Sequence, residues 1–101
     1  WLKELAGYCG HADREVRNAA IAVIGRARDK RQVAAVLAAL EHEDWSTRFA
    51  AIEALEALRD KAAVPKLIER LAVDTGRLRK RIAEALWQLT AQPFDEDVEQ
   101  W

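Results

Sequence analysis

An all-α, right-handed superhelix of antiparallel helix pairs is the fold class this sequence predicts, on three observations. Half of the 101 residues are apolar, about a fifth are Ala, and Leu, Glu, Arg and Lys fill much of the remainder, with only four Gly and two Pro to interrupt these helix formers. Apolar residues recur three and four apart, as in Val16, Ala20, Val23, Ile24 and Ala27 and again in Val33, Val36, Leu37 and Leu40, so they share one helical stripe. The chain also superposes on itself at an offset of 31 residues. No stretch alternates long enough to read as a strand.

Punctuation places six helices. Residues 1–9 end at Gly10, a residue that accepts positive φ without steric cost. The next runs over 14–27 with Asp13 as N-cap, its carboxylate accepting from the free amides of the first turn. Asp29 caps a helix over 30–41, and Asp44 or Ser46 starts one reaching 58. Asp60 begins a helix over 61–72, with Pro65 in its first turns, where a missing amide matters least. Thr75 and Gly76 open the last long helix, to Thr90; Pro93 stops it, and Asp95 caps a short final turn through Trp101.

The offset aligns Asp13, Arg17, Ala19, Ala20, Ile21, Arg28, Asp29, Lys30, Val33 and Leu40 with Asp44, Arg48, Ala50, Ala51, Ile52, Arg59, Asp60, Lys61, Val64 and Leu71. Chance would supply about two identities, so these ten mark an internal repeat. The same step carries Arg48, Glu53, Ala54, Leu55 and Leu58 onto Arg79, Glu84, Ala85, Leu86 and Leu89, a diverged third copy. Backwards, Val33, Val36 and Leu40 land on Leu2, Leu5 and Cys9, so the chain opens on a second helix. The expected organisation is a half repeat 1–12, repeats 13–43, 44–74 and 75–92, and a C-terminal cap 93–101. Starting midway through a unit, at Trp1 instead of Met, it is expected to be a piece of a longer array. A helix pair cannot bury its apolar stripe alone; stacked neighbours bury it for one another.

The segments Asp-Arg-Glu-Val-Arg-Asn-Ala-Ala-Ile (13–21), Thr-Arg-Phe-Ala-Ala-Ile-Glu-Ala-Leu (47–55) and Ala-Val-Pro-Lys-Leu-Ile-Glu-Arg-Leu (63–71) resemble HEAT repeats. The short period and the Val-Pro-Lys-Leu-Ile segment are similar to the subclass known from phycobilisome lyase subunits. The resemblance is specific for fold and not for activity. It implies that the first helix of each unit lies on the convex side and the second lines a concave wall, here residues 1–9, 30–41 and 61–72. Aligned exposed rows on that wall are Glu4, Ala35, Lys66; Gly7, Ala38, Glu69; and Tyr8, Ala39, Arg70. A flat alanine floor between Trp1 and Tyr8 on one side and Lys66, Glu69 and Arg70 on the other would admit a partner helix closely. Trp1, Glu4, Tyr8, Ala35, Ala39, Lys66, Glu69 and Arg70 are therefore the candidate partner-binding residues.

Other constellations have structural readings. Arg17, Arg48 and Arg79 stand beside Asp13, Asp44 and Asp74, so the carboxylate of one unit is placed to reach the guanidinium of its neighbour, a ladder in which paired acids compete with any phosphate. His11 and His42 occupy equivalent turns about one repeat thickness apart, ~10 Å, too far to share a metal. His42-Glu43 is similar to the iron-holding pairs of deoxyhypusine hydroxylase, but where that family has them, early in the first helix, this sequence has Asn18-Ala19, Phe49-Ala50 and Lys80-Arg81. Cys9 aligns with the core residues Leu40 and Leu71 and reads as buried. No Gly-rich phosphate loop and no Ser-His-Asp set occurs, so no enzymatic activity, cofactor or metal is expected.

Sixteen basic against seventeen acidic residues leave a net charge of -1, which removes the general drive toward nucleic acid. The only dense basic run is Arg77, Arg79, Lys80 and Arg81, with a looser one at Arg14, Arg26, Arg28, Lys30 and Arg31; HEAT-like DNA glycosylases bind duplex backbone through such patches. No run of eighteen apolar residues spans a membrane, and one Cys excludes an internal disulfide. In the tail, Phe94, Val98 and Trp101 share a face opposite Asp95, Glu96, Asp97 and Glu99 and read as a cap packed near Trp87 and Leu89, an ending similar to that of bacterial HEAT proteins. The expected role is a non-catalytic scaffold binding a protein partner of unknown identity through the concave surface, with a cytoplasmic location favoured. The alternatives are an accessory subunit of a bilin chromophore lyase, implied by the subclass resemblance, and nucleic-acid backbone binding. Self-association through exposed Leu2 and Leu5 is a further expectation.

Overall fold

Two helices of this chain begin directly at an aspartate, Asp13 or Asp44, that takes over amides the first turn leaves unbonded. The computed structural model describes residues 7–92, 97 and 99–101, and among them five α-helices: α1 Arg14–Ala27, α2 Val33–Ala39, α3 Trp45–Leu58, α4 Ala63–Val73 and α5 Gly76–Thr90. Gly7 and Tyr8 are the described helical residues of the segment expected over 1–9. Asp13 accepts from the Glu15 amide at 2.9 Å and Asp44 from the Ser46 amide at 2.8 Å, so Asp44 and not Ser46 is the cap of α3. Thr75 caps α5 without a side-chain hydrogen bond, and Gly76 enters it at φ 59°.

Two second helices start later than the spacing predicts. Asp29 accepts from the Arg31 amide and also holds the Arg31 guanidinium (2.9 and 3.2 Å) and the Gln32 amide group (3.0 Å). Gathering these groups on one carboxylate accompanies a tightened first turn: Lys30–Gln32 is a 3-10 turn, and the α-helix begins only at Val33. Asp60 likewise accepts from the Ala62 amide at 2.9 Å, while Ala63 and Val64 bond three residues back, so α4 begins at Ala63 with Pro65 in its first turn.

Helix ends bring another departure. Gly10 does not take a positive φ, whereas Arg28, Arg59 and Ala91 close α1, α3 and α5 in the left-handed region at φ 54°, 54° and 61°. An L-residue there costs about 1–2 kcal/mol that glycine avoids, partly offset by the freedom glycine gains when unfolded. Arg28→Gly and Arg59→Gly are each expected to stabilise by about 1 kcal/mol, read as a raised Tm in thermal melts; a lowered Tm in both would contradict this.

The helices form two layers. α1 rests on α3 and α3 on α5, while α2 and α4 make the second layer. The expected hairpins are not the tightest pairs: α2 packs chiefly against α3 and α4 against α5, so each second helix leans on the first helix of the following unit. Helical spacing shows which stripe is apolar but not which neighbour seals it. Ile21, Ile24, Val36, Leu40, Ile52, Leu55, Leu58, Leu67, Leu71, Ile82 and Leu86 are fully buried, and the protein measures 39 × 23 × 16 Å. Cys9 is buried where its alignment with Leu40 and Leu71 puts it, and burial raises its thiol pKa. α1 and α3 approach closely at Gly25: a Cβ there would stand 2.9 Å from the Ala54 Cα, so only glycine permits this separation.

Candidate functional site

The polar groups between units are arranged for cohesion. Arg17 is 4 % exposed, lies between α1 and α3, and spends its donors on Thr47 Oγ1 (2.8 Å), Asp44 Oδ2 (3.1 Å) and the His11 carbonyl (2.9 Å). Thr47 donates onward to Asn18 Oδ1, and Asn18 donates to Ser46 Oγ, which donates to Asp44. One unit later Arg48 donates to the carbonyls of His42 and Glu43 and lies 3.7 Å from Asp74. The expected ladder is therefore present at both of these steps. His11 and His42 are equivalent in role: each Nδ1 accepts from the amide of the capping aspartate two residues on, at 2.9 and 3.0 Å. Among the described residues no three His, Cys, Asp or Glu side chains are grouped to hold a metal.

Among the described residues Asp29 holds the most perturbed carboxyl, lowered to about 2 by hydrogen bonds from the Arg31 and Gln32 side chains. Asp44 is lowered as well, first by its hydrogen bond from Ser46. A carboxyl whose pKa falls on folding stabilises fully above its unfolded value of 3.8 and loses that contribution as pH drops toward about 2. Urea midpoints of the parent should fall over that window, and those of Asp29→Asn should fall less. Equal acid sensitivity would remove Asp29 as a contributor.

The candidate partner-binding residues divide. Trp1 and Glu4 lie outside the described residues, as do Leu2 and Leu5. Tyr8 is 46 % exposed and its ring is 6.2 Å from that of His11. Ala35 is half-buried. Ala39 is a correction: with Val36 it forms the buried stripe of α2, continued by Leu40 just past the helix end, so it is core and not groove floor. Arg70 is turned inward to Asp74, donating from Nε and Nη2 at 3.1 and 2.9 Å. Lys66 and Glu69 remain exposed and pair with each other at 3.5 Å. Of the three rows, Gly7, Ala38 and Glu69 are exposed throughout.

The basic run does not act as one patch. Arg81 is drawn to Glu56 at 2.6 Å and Glu84 at 3.7 Å, and Arg79 is also engaged. In the looser run Arg31 belongs to Asp29. The cap expected over 93–101 falls mostly outside the described residues; of those described, Trp101 packs against the core, as Leu89 does, while Trp87 is 56 % exposed.

One cluster was not foreseen. Trp45, the first residue of α3 and 43 % exposed, stacks on Phe49 (ring centroids 5.4 Å, 22° between planes), and the Arg77 guanidinium lies over Trp45 at 5.7 Å from the ring centroid. The signal was in the repeat: Trp45 and Phe49 stand where the other units carry Arg14 and Asn18, and Gly76 and Lys80. Large aromatics among polar equivalents mark a surface feature.

Open grooves are shallow. One of about 310 Å³ is lined by Tyr8, Val16, Ala19, Ala20 and Val23 and is almost wholly apolar. Val16, Ala20 and Val23 are the repeat equivalents of Thr47, Ala51 and Ala54, buried residues of the helix on which α1 rests. A second groove, of about 440 Å³, lies between the start of α4 and the end of α5. No described helix is long and apolar enough to cross a membrane.

The curated proteins contain no match to this chain. A family model described as HEAT repeats matches residues 2–87, which includes all five helices but for the last three residues of α5. HEAT repeats commonly serve as protein-interaction scaffolds. With a 31-residue repeat, two layers of helices and a polar ladder between units now joined by that match, the chain belongs to the HEAT-repeat family.

Proposed function

We propose that this chain is a non-catalytic scaffold whose second-helix layer, the concave side in our reading, binds a helical segment of a protein partner. The observation that carries the reading is the exposed row Gly7, Ala38 and Glu69, with Tyr8 beside one end and Lys66 beside the other. Small residues let a partner helix approach closely, and the Lys66–Glu69 pair is exposed enough to open at little cost and re-pair across an interface. Ala35 contributes at the margin of the floor, and Arg70 supports the wall through Asp74. A photo-crosslinking residue at Ala38 or Lys66 should capture protein in cell extract, and one at the exposed first-layer positions Arg26 or Gln88 should not. Capture at neither of the first pair, or equal capture at all four, overturns the assignment of this face.

The units 13–43, 44–74 and 75–92, preceded by a half repeat 1–12 and closed by 93–101, are the organisation we propose. The apolar groove at Tyr8, Val16 and Val23 supports self-association, because its equivalent on α3 is sealed by a neighbouring helix. Sedimentation showing only monomer at high concentration would refute that. The bilin-lyase reading rests on the Val-Pro-Lys-Leu-Ile segment of α4; mixing with bilin and an apo-phycobiliprotein should then produce a colour change, and no change removes it.

A further inference from the structure

We infer that the edge where α1, α3 and α5 begin is a second docking surface, built around Trp45 and Arg77, for a short acidic protein segment. This surface is separate from the second-helix layer and does not depend on it.

The edge is organised by the repeat. Arg14, Trp45 and Arg77 each stand at the first or second position of α1, α3 and α5, and Lys80 follows Arg77 by one turn. Phe49 backs the Trp45 ring, and the ring in turn holds the Arg77 guanidinium over its face. A guanidinium held over an aromatic face has part of its side-chain freedom already spent before a carboxylate arrives, which lowers the entropy lost on binding. Among the described residues Arg77 and Lys80 have no carboxylate within ion-pair distance, in contrast to Arg17, Arg31, Arg48, Arg70 and Arg81, which all do. Arg14 is exposed at the first position of α1, the helix that rests on α3, so its cation lies on the same edge as Trp45. Exposed Trp and Arg are the side chains on which binding energy concentrates at protein interfaces.

The spacing defines the ligand. Arg14 and Arg77 belong to first helices two units apart, roughly 20 Å at one helix diameter per unit. An extended chain covers that in about six residues. The fitting segment carries carboxylates at both ends and apolar side chains between, to lie over Trp45 and Phe49. A nucleic acid fits less well, because its charges are dense and regular and the exposed acids Glu15 and Glu84 interrupt the cations here.

The test is fluorescence anisotropy of the whole chain with a labelled synthetic peptide bearing two glutamates at each end and leucine and phenylalanine between. A peptide with glutamine for each glutamate, and a labelled oligothymidine, serve as alternatives. Binding of the acidic peptide at least about tenfold tighter than the glutamine form, weakening as salt rises from about 50 to 200 mM, is expected. Arg77→Ala and Trp45→Ala should each weaken it about fivefold or more with unchanged circular dichroism, while Lys66→Ala on the second-helix layer should leave it unaltered. Equal binding of the two peptides, insensitivity to both edge variants, preference for the oligothymidine, or no binding up to about 1 mM peptide would each overturn the proposal.

Discussion

Arg17→Ala is expected to destabilise the protein by about 3 kcal/mol, the low end of what removing one partner from a buried ion pair costs. The low end applies because Asp44 keeps 24 % of its side-chain exposure and retains hydrogen bonds from Ser46. The loss arises mainly from the His11 carbonyl, left without the donor that now reaches it, and from the end of the link between α1 and Thr47 on α3. Chemical denaturation of the two proteins measures it, and a change below about 1 kcal/mol would mean that the ladder is decoration, as surface ion pairs usually are. The equivalent Arg48→Ala should cost less, since Arg48 meets Asp74 at 3.7 Å instead of 3.1 Å and its Nε has no hydrogen-bond acceptor.

Leu55→Ala should cost about 3 kcal/mol as well, within the range for deleting most of a buried leucine and leaving a cavity. Leu55 is fully buried in α3, the helix against which α1, α2 and α5 all rest. The unfolding transition should therefore shift as a whole, without splitting into an early and a late step. A loss below about 1 kcal/mol, or a biphasic melt, would show that α3 is not the common support.

The helical repeat was legible because two signals with different physical origins agree: apolar spacing of three and four from side-chain burial, and the 31-residue offset from stacking. The ladder followed from the same offset, since equivalent Arg and Asp residues must occupy equivalent places. Detail at helix starts was less legible. Nothing in the spacing of residues 30–41 shows that Asp29 will gather Arg31 and Gln32 and tighten the first turn. The left-handed ends at Arg28 and Arg59 were hidden because glycine is the usual marker and is absent there. The burial of Ala39 was not legible because alignment across repeats does not fix the rotation of α2 about its axis, and that rotation buries Ala39 with Val36. The Trp45 cluster needed a contact between units, Arg77 over Trp45, that no single helix contains.

Both proposed surfaces exist only if the first helices stack side by side in register, and a distance between equivalent positions reads this directly. Spin labels at Ala22→Cys and Glu84→Cys, with Cys9→Ala, report the separation of α1 and α5, whose labelled positions are both exposed. Pulsed dipolar spectroscopy should return one narrow distance near 20 Å, two helix spacings of ~10 Å each, and about half that between Ala22→Cys and Glu53→Cys. A broad distribution, or two equal distances, would contradict a stack in register.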